Sequence, residues 1–341
     1  MHADNTFSLG INLAPRNYSC PLFDFVIPSI RACTHYAKMV GFITSVRRKA
    51  MAFLIRFLSG QLTAELDFVE ITQLEVESRD QDRKIRIHVH DHPLPDAKSG
   101  PIPVLINWHG SGFLVPALGS DAAFCSTVSK SAGMIVIDAD YRKVPADPFP
   151  AATGDAFDVL QWVRGQPGRF DMNEIFLSGF SAGGNIALFT SAASCQDQSS
   201  MAAIRGVLAF YPVTDQHKPP EEQKAPSPIR PIQPFVANFI AESYIPVPIR
   251  KDDPRISPTF TDVDSFPQNM LFITCEGDNL CLEADQLASK IHETGCNVIS
   301  RRFDGVSHAW DKSVKAGTRE EEFRSEAYMM AVDFLRENIA V

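Results

Sequence analysis

From about Phe68 onward the chain alternates short, continuous apolar runs with helical patterns, and this rhythm limits the fold more than any other feature. Val104-Leu105-Ile106, Met134-Ile135-Val136-Ile137, Ile175-Phe176-Leu177, Val207-Leu208-Ala209-Phe210 and Met270-Leu271-Phe272-Ile273 lack the polar alternation of a half-exposed strand. Such runs suit strands buried on both faces, as in a largely parallel sheet covered by helices. Helices are predicted between them at 122–132, 151–164, 183–193, 282–294 and 318–338. The last opens on a capping-box sequence, Thr318-Arg319-Glu320-Glu321. Val69 to Val76 and Arg83 to His90 alternate apolar with polar residues and read as an antiparallel hairpin at the sheet edge; Asn297 to Phe303 reads as a last strand. The predicted class is α/β.

A chain of 341 residues can bury a core large enough to keep water from a catalytic site without disulfides or metals. The net charge of −9 argues against a nucleic-acid partner, because phosphate binding needs clustered Lys and Arg. Seven cysteines without a C-x-x-C pair read as free thiols in a reducing compartment, and the N-terminus lacks the pattern of a secretory signal, so a cytoplasmic location is expected. His88, His90 and His92 share one face of a strand at metal-like spacing, but a solvated polar face explains them more simply, and no metal or cofactor is expected. The apolar stretch from Ala32 to Leu62 is broken by Lys38, Arg47-Arg48-Lys49 and Arg56, too often to span a bilayer. It is read as packed or lid-like helices in preference to an anchor resting on a membrane.

The chemistry centres on Gly179-Phe180-Ser181-Ala182-Gly183, which fits the Gly-x-Ser-x-Gly nucleophile elbow and lies between an apolar run and a helical pattern. So sharp a strand-to-helix turn needs residues without side chains on either side, and it holds the Ser181 hydroxyl over a helix N-terminus that favours negative charge. A serine needs a base, and the base an orienting carboxylate, in the chain order serine, acid, histidine. His308, in Gly305-Val306-Ser307-His308-Ala309-Trp310 between the last strand and the last helix, is the expected base. After the run ending at Ile273 the chain reads Thr274-Cys275-Glu276-Gly277-Asp278, and Asp278 is favoured over Glu276 because it lies further into the turn. His109-Gly110-Ser111-Gly112 directly follows another apolar run and can supply backbone N–H donors.

With these motifs the chain resembles the hormone-sensitive-lipase-like carboxylesterases, whose His-Gly-Gly-Gly marker it matches at 109–112 except for Ser111. Asp140-Tyr141-Arg142, Pro148-Phe149-Pro150-Ala151-Ala152 with Asp155, and Ser257-Pro258 extend the likeness from about Val104 to the C-terminus. The resemblance implies an α/β-hydrolase fold: a mostly parallel eight-stranded sheet with helices on both faces and a helical cap. It implies oxyanion donors at the backbone N–H groups of Ser111, Gly112 and Ala182. The organisation expected is an N-terminal helical cap segment at 1–65 and a catalytic domain at 66–341, with a proline-rich cap insertion around 213–256. Phe113, Phe180 and Trp310 are expected near the substrate. Two departures stand out, Ser111 in place of glycine and Phe180 where the family often carries a small or acidic residue.

The function these readings imply is hydrolysis of small to medium apolar acyl or aryl esters, with a small-molecule ester as partner and a homodimer left open. Amide or formamide hydrolysis, or a dehydratase or cyclase role in small-molecule biosynthesis, remains an alternative on the same fold. A silent ligand receptor is disfavoured, because the receptor branch of this family lacks the histidine that His308 supplies.

Overall fold

The computed structural model describes residues 48–55, 71–92, 100–196 and 204–340. Its contacts divide the chain into Met1–Ala50 and Met51–Val341, and the sheet, its helices and the candidate site all lie in the second unit. Of the expected N-terminal cap at 1–65, only the helical stretch 48–55 lies within the described residues.

Eight strands form one sheet: β1 (Thr72–Glu77), β2 (Lys84–His90), β3 (Ile102–Trp108), β4 (Ile135–Ala139), β5 (Phe170–Phe180), β6 (Ile204–Phe210), β7 (Asn269–Cys275) and β8 (Asn297–Phe303). Their order is β1-β2-β4-β3-β5-β6-β7-β8. Only β1–β2 and β2–β4 are antiparallel, so the hairpin sits at one edge and the other six strands run parallel. The continuous apolar runs are explained by the pleat. Val104, Ile106 and Trp108 face one hydrophobic cluster and Leu105 the other; Ile175 and Leu177 oppose Phe176 in the same way. On the first face pack α2 (Ala151–Arg164), α3 (Ala182–Gln196) and α5 (Cys281–His292); on the second pack α1 (Ala122–Ala132) and α6 (Arg319–Asn338). A further helix, α4 (Pro234–Tyr244), lies inside the proline-rich segment.

Two local expectations are corrected. The Thr318 hydroxyl does not cap α6: it donates to the Lys315 carbonyl, and the Glu321 carboxylate takes the N–H of Gly317 instead. The histidine face of β2 is only partly solvated: Arg86 is exposed and His88 and His92 are half-buried, but His90, beside Ser129 of α1, is wholly buried, its pKa pushed down to about 4 by burial and the neighbouring His88. Among the described residues no group of three or more His, Cys, Asp or Glu could hold a metal, and no helix is long and apolar enough to cross a membrane.

Candidate active site

The strand-to-helix turn between β5 and α3 carries Ser181 with φ at +52°, a left-handed conformation that a side chain rarely adopts. Strain of this kind costs about 1–3 kcal/mol and persists only where the surroundings enforce it. Here the enforcement is steric. A Cβ at Gly179 would lie 2.2 Å from the Gly183 carbonyl oxygen, and one at Gly183 would lie 1.9 Å from that of Trp108. The backbones of β3, β5 and α3 meet so closely that only glycine fits at either position. The turn is also tied to β6, where the Ser181 N–H donates to the Phe210 carbonyl at 2.9 Å.

Two loops deliver the partners. His308, beyond β8, places Nε2 3.0 Å from the Ser181 hydroxyl oxygen, and its Nδ1 lies 2.6 Å from Oδ2 of Asp278. Asp278 is held in turn, accepting the N–H of Leu280 at 3.0 Å through Oδ1. Glu276, the other candidate acid, is turned elsewhere and accepts the N–H of Gly305. The Nδ1–H therefore points at the carboxylate, leaving Nε2 to accept the serine proton. Burial alone would lower the pKa of His308, but the charge and hydrogen bond of Asp278, with Asp311 adding to them, raise it above the ordinary 6.5.

The motif 109–112 follows β3 and passes directly over Ser181. A Cβ at Gly110 would sit 3.5 Å from Cβ of Ser181. Gly112 and Phe113 both take left-handed φ, at +55° and +57°. Ser111, Gly112 and Ala182, the expected oxyanion donors, are thus carried by the two backbone segments that flank Ser181. The Ser111 side chain does not enter the site; it bonds the hydroxyl of Tyr141 at 2.6 Å.

Beside Ser181 lies a small cavity of about 80 Å³, well below the usual range for small-molecule sites. Gly112, Phe113 and Leu280 line it from the sheet side, and Val213, Ile232, Ala237 and Ile240 from the proline-rich segment with α4. Lys218 also lines it, but is ion-paired with the buried Glu283. Of the three aromatic residues expected near the substrate, Phe113 lines the cavity, stacked on Tyr244. The expectations for Phe180 and Trp310 are corrected. Phe180 ends β5 with its side chain on the opposite sheet face, against Phe124 and Phe210, and Trp310 packs between Tyr211 and Phe303.

Phe180 leads to a feature that sequence reasoning missed. The Lys312 ammonium lies 3.4 Å from its ring centroid, fully buried, and 2.8 and 2.9 Å from the carboxylates of Asp121 and Asp311. Tyr211 and Tyr328 both donate to Asp311, and the Tyr211 ring meets His308 edge-on at 4.8 Å. Asn107 extends the cluster to Asp138, whose pKa is pushed up to about 8 by burial and the charge of Asp121. Asp311 and Lys312 stand only a few residues after His308, so this buried ionic knot anchors the loop that carries it.

Comparison with known proteins agrees with the architecture. A family model described as alpha/beta hydrolase fold matches residues 105–312. The chain is 29% identical over 238 residues to an ethyl acetate hydrolase of Pseudomonas putida, covering 69% of this chain and 73% of that one. It is 26% identical over 222 residues to a versiconal hemiacetal acetate esterase of Dothistroma septosporum, covering 61% and 66%. Among solved structures, a thermostable carboxylesterase cloned from a metagenomic library superposes with a TM-score of 0.71 at 23% identity, covering 86% of this chain and 98% of that one. An esterase of Pyrobaculum calidifontis does so with a TM-score of 0.68, also at 23% identity, covering 86% and 93%. The chain belongs to the α/β-hydrolase-fold family matched over residues 105–312, in the hormone-sensitive-lipase-like group that its Gly-Phe-Ser-Ala-Gly and His-Gly-Ser-Gly motifs resemble.

Proposed function

We propose that this protein is a serine carboxylesterase acting on small to medium apolar acyl or aryl esters through an acyl-enzyme. The observation that carries the reading is the continuous bonded path from the Ser181 hydroxyl through His308 to Asp278, at 3.0 and 2.6 Å. Esterase names among the relatives support it, as does the mainly apolar cavity next to the serine.

In the first step Ser181 Oγ attacks the ester carbonyl carbon while its proton moves to Nε2 of His308. Asp278 holds the opposite ring proton and balances the imidazolium. The carbonyl π pair moves onto oxygen, facing the N–H groups of Ser111, Gly112 and Ala182. As the tetrahedral centre collapses, the C–O bond to the alcohol breaks and His308 returns its proton to the departing oxygen. Water then attacks the acyl-enzyme by the same route in reverse, releasing the acid and restoring Ser181. The segment around 213–256 acts as a cap whose apolar residues select the acyl or aryl group.

Ser181→Ala is expected to remove p-nitrophenyl butyrate hydrolysis from correctly folded protein. Activity at the wild-type rate in that variant overturns the proposal.

A further inference from the structure

Ser111 stands where the resembling family has glycine, and its hydroxyl is engaged in a way that gives the substitution a purpose. We propose that Ser111 and Tyr141 form a hydroxyl latch that aims the oxyanion loop, with both side chains acting as positioning residues and neither touching substrate. The inference rests on the esterase reading of the same site.

The direction of the bonds comes from counting protons. The single proton of the Tyr141 hydroxyl goes to the His109 carbonyl, at 2.7 Å. The 2.6 Å contact between Ser111 Oγ and Tyr141 Oη must then be donated by the serine. One phenol oxygen therefore grips the loop on both sides of Gly110, the residue that lies against Phe180 and Ser181. Ser111 itself is absent from the left-handed conformers, so serine brings no backbone strain there.

Tyr141 is a rigid post for such a grip. It is 2% exposed, its ring is stacked on the His109 imidazole at 4.8 Å, and the Lys143 ammonium lies 3.3 Å from its ring centroid. Asp140 fixes its backbone by accepting the Tyr141 N–H at 2.9 Å, while also holding Lys143. Downstream of the grip, Gly112 and Phe113 occupy two successive left-handed conformations, and for phenylalanine that is unfavourable. The Ser111 carbonyl accepts the N–H groups of Leu114 and Val115, which closes the turn behind it. With the carbonyl held from one side and the hydroxyl from the other, the peptide planes presenting the Ser111 and Gly112 N–H groups have no freedom to tilt. A glycine in place of Ser111 would keep the donors and lose half of that constraint.

The test is a double-mutant cycle on p-nitrophenyl butyrate, with Ser111→Ala, Tyr141→Phe, the double variant and Ser111→Thr. Removing an oxyanion donor costs about 10²–10³ in kcat, and misaiming donors that remain costs a part of that, roughly tenfold. Each single variant is expected to lose roughly tenfold in kcat with little change in KM. The double variant should be no slower than the worse single, since both break one linkage. Ser111→Thr, which retains the hydroxyl, should recover most of the rate. Wild-type kcat in both single variants, losses confined to KM, or losses that multiply in the double variant each overturn the latch. If Tyr141→Phe fails to fold, the Ser111 pair decides alone. Ser181→Ala, measured alongside, separates the two claims: if it is as active as wild type, the esterase reading falls and the latch with it. If it is inactive while the Ser111 and Tyr141 variants run at full rate, only the latch falls.

Discussion

Replacing Asp278 by asparagine preserves shape and removes the charge beside His308, and the surrounding bonds dictate how the new amide must sit. In the wild-type chain Oδ1 accepts the Leu280 N–H at 3.0 Å, while Oδ2 takes the His308 Nδ1–H at 2.6 Å. The Leu280 N–H demands an oxygen, so an asparagine amide must turn its NH2 toward the imidazole. Nδ1 then becomes an acceptor, and the ring proton moves to Nε2, where it faces Ser181 and can no longer receive the serine proton. The analogous change in a serine protease lowers kcat about 10⁴-fold through the wrong tautomer. At about 1.36 kcal/mol per tenfold, a loss of that size is about 5.4 kcal/mol of barrier. The pH dependence should move as well. Asp278 opposes the effect of burial on His308, so without it burial prevails and the imidazole pKa falls. Initial rates of p-nitrophenyl butyrate hydrolysis, taken from about pH 5 to 8, give both readouts. The expected outcome is a kcat lower by about 10⁴, a KM changed little, and an acid limb shifted to lower pH. Glu276→Gln is the control and should retain kcat, since Glu276 serves the Gly305 N–H and not the imidazole. An Asp278→Asn kcat within about tenfold of wild type, or an equal loss in Glu276→Gln, would refute the reasoning.

The same geometry sets three other outcomes. In the wild-type enzyme kcat/KM should rise with pH along a limb centred above 6.5, because Nε2 accepts a proton only when His308 is neutral and its pKa is raised; a limb centred below 6.5 contradicts the assignment. Gly183→Ala drives a Cβ to 1.9 Å from a backbone oxygen that cannot yield, so thermal denaturation should show a loss above about 4 kcal/mol or no folded protein; a wild-type Tm counts against the elbow packing. Lys312→Met leaves Asp121 and Asp311 buried without their cation, and urea titration should show destabilisation of about 3–5 kcal/mol; an unchanged midpoint would mean the knot is stabilised by other means.

The layers of the fold were legible because each central strand is apolar on both faces, a demand only a covered parallel sheet makes. Helices α1 and α2 fall where the pattern puts them, since Gly133 and Gly165 close both. The positions of Ser181, Asp278 and His308 were legible because each occupies a fixed place in the order strand, turn, helix. What stood near them was not. Phe180 and Trp310 stand near Ser181 and His308 in sequence, but Phe180, one position along β5, faces the other side of the sheet, Trp310 opens a short 3-10 helix beyond the loop, and both rings belong to the second core. The cavity is built instead from residues such as Ile232 and Ile240, in a segment whose prolines announce irregularity without saying which side chains turn inward. The Lys312 knot was invisible for a related reason. Its members sit on α1's leading turn, the end of β6, the loop after β8 and α6, and no spacing rule joins such distant positions. The polar character of His90 suggested exposure, whereas α1 lies against that end of β2, with Ser129 donating to the His90 carbonyl, and the imidazole is buried.

If Ser181 carries the acyl group, mass spectrometry of the quenched enzyme will find it there. Folded protein is mixed with excess p-nitrophenyl butyrate, stopped in acid within the first turnovers, digested and mapped. One butyryl adduct is expected on the peptide containing Ser181, appearing with a burst of p-nitrophenol and absent from Ser181→Ala. Turnover with no adduct on that peptide, or with an adduct on another residue, would contradict it.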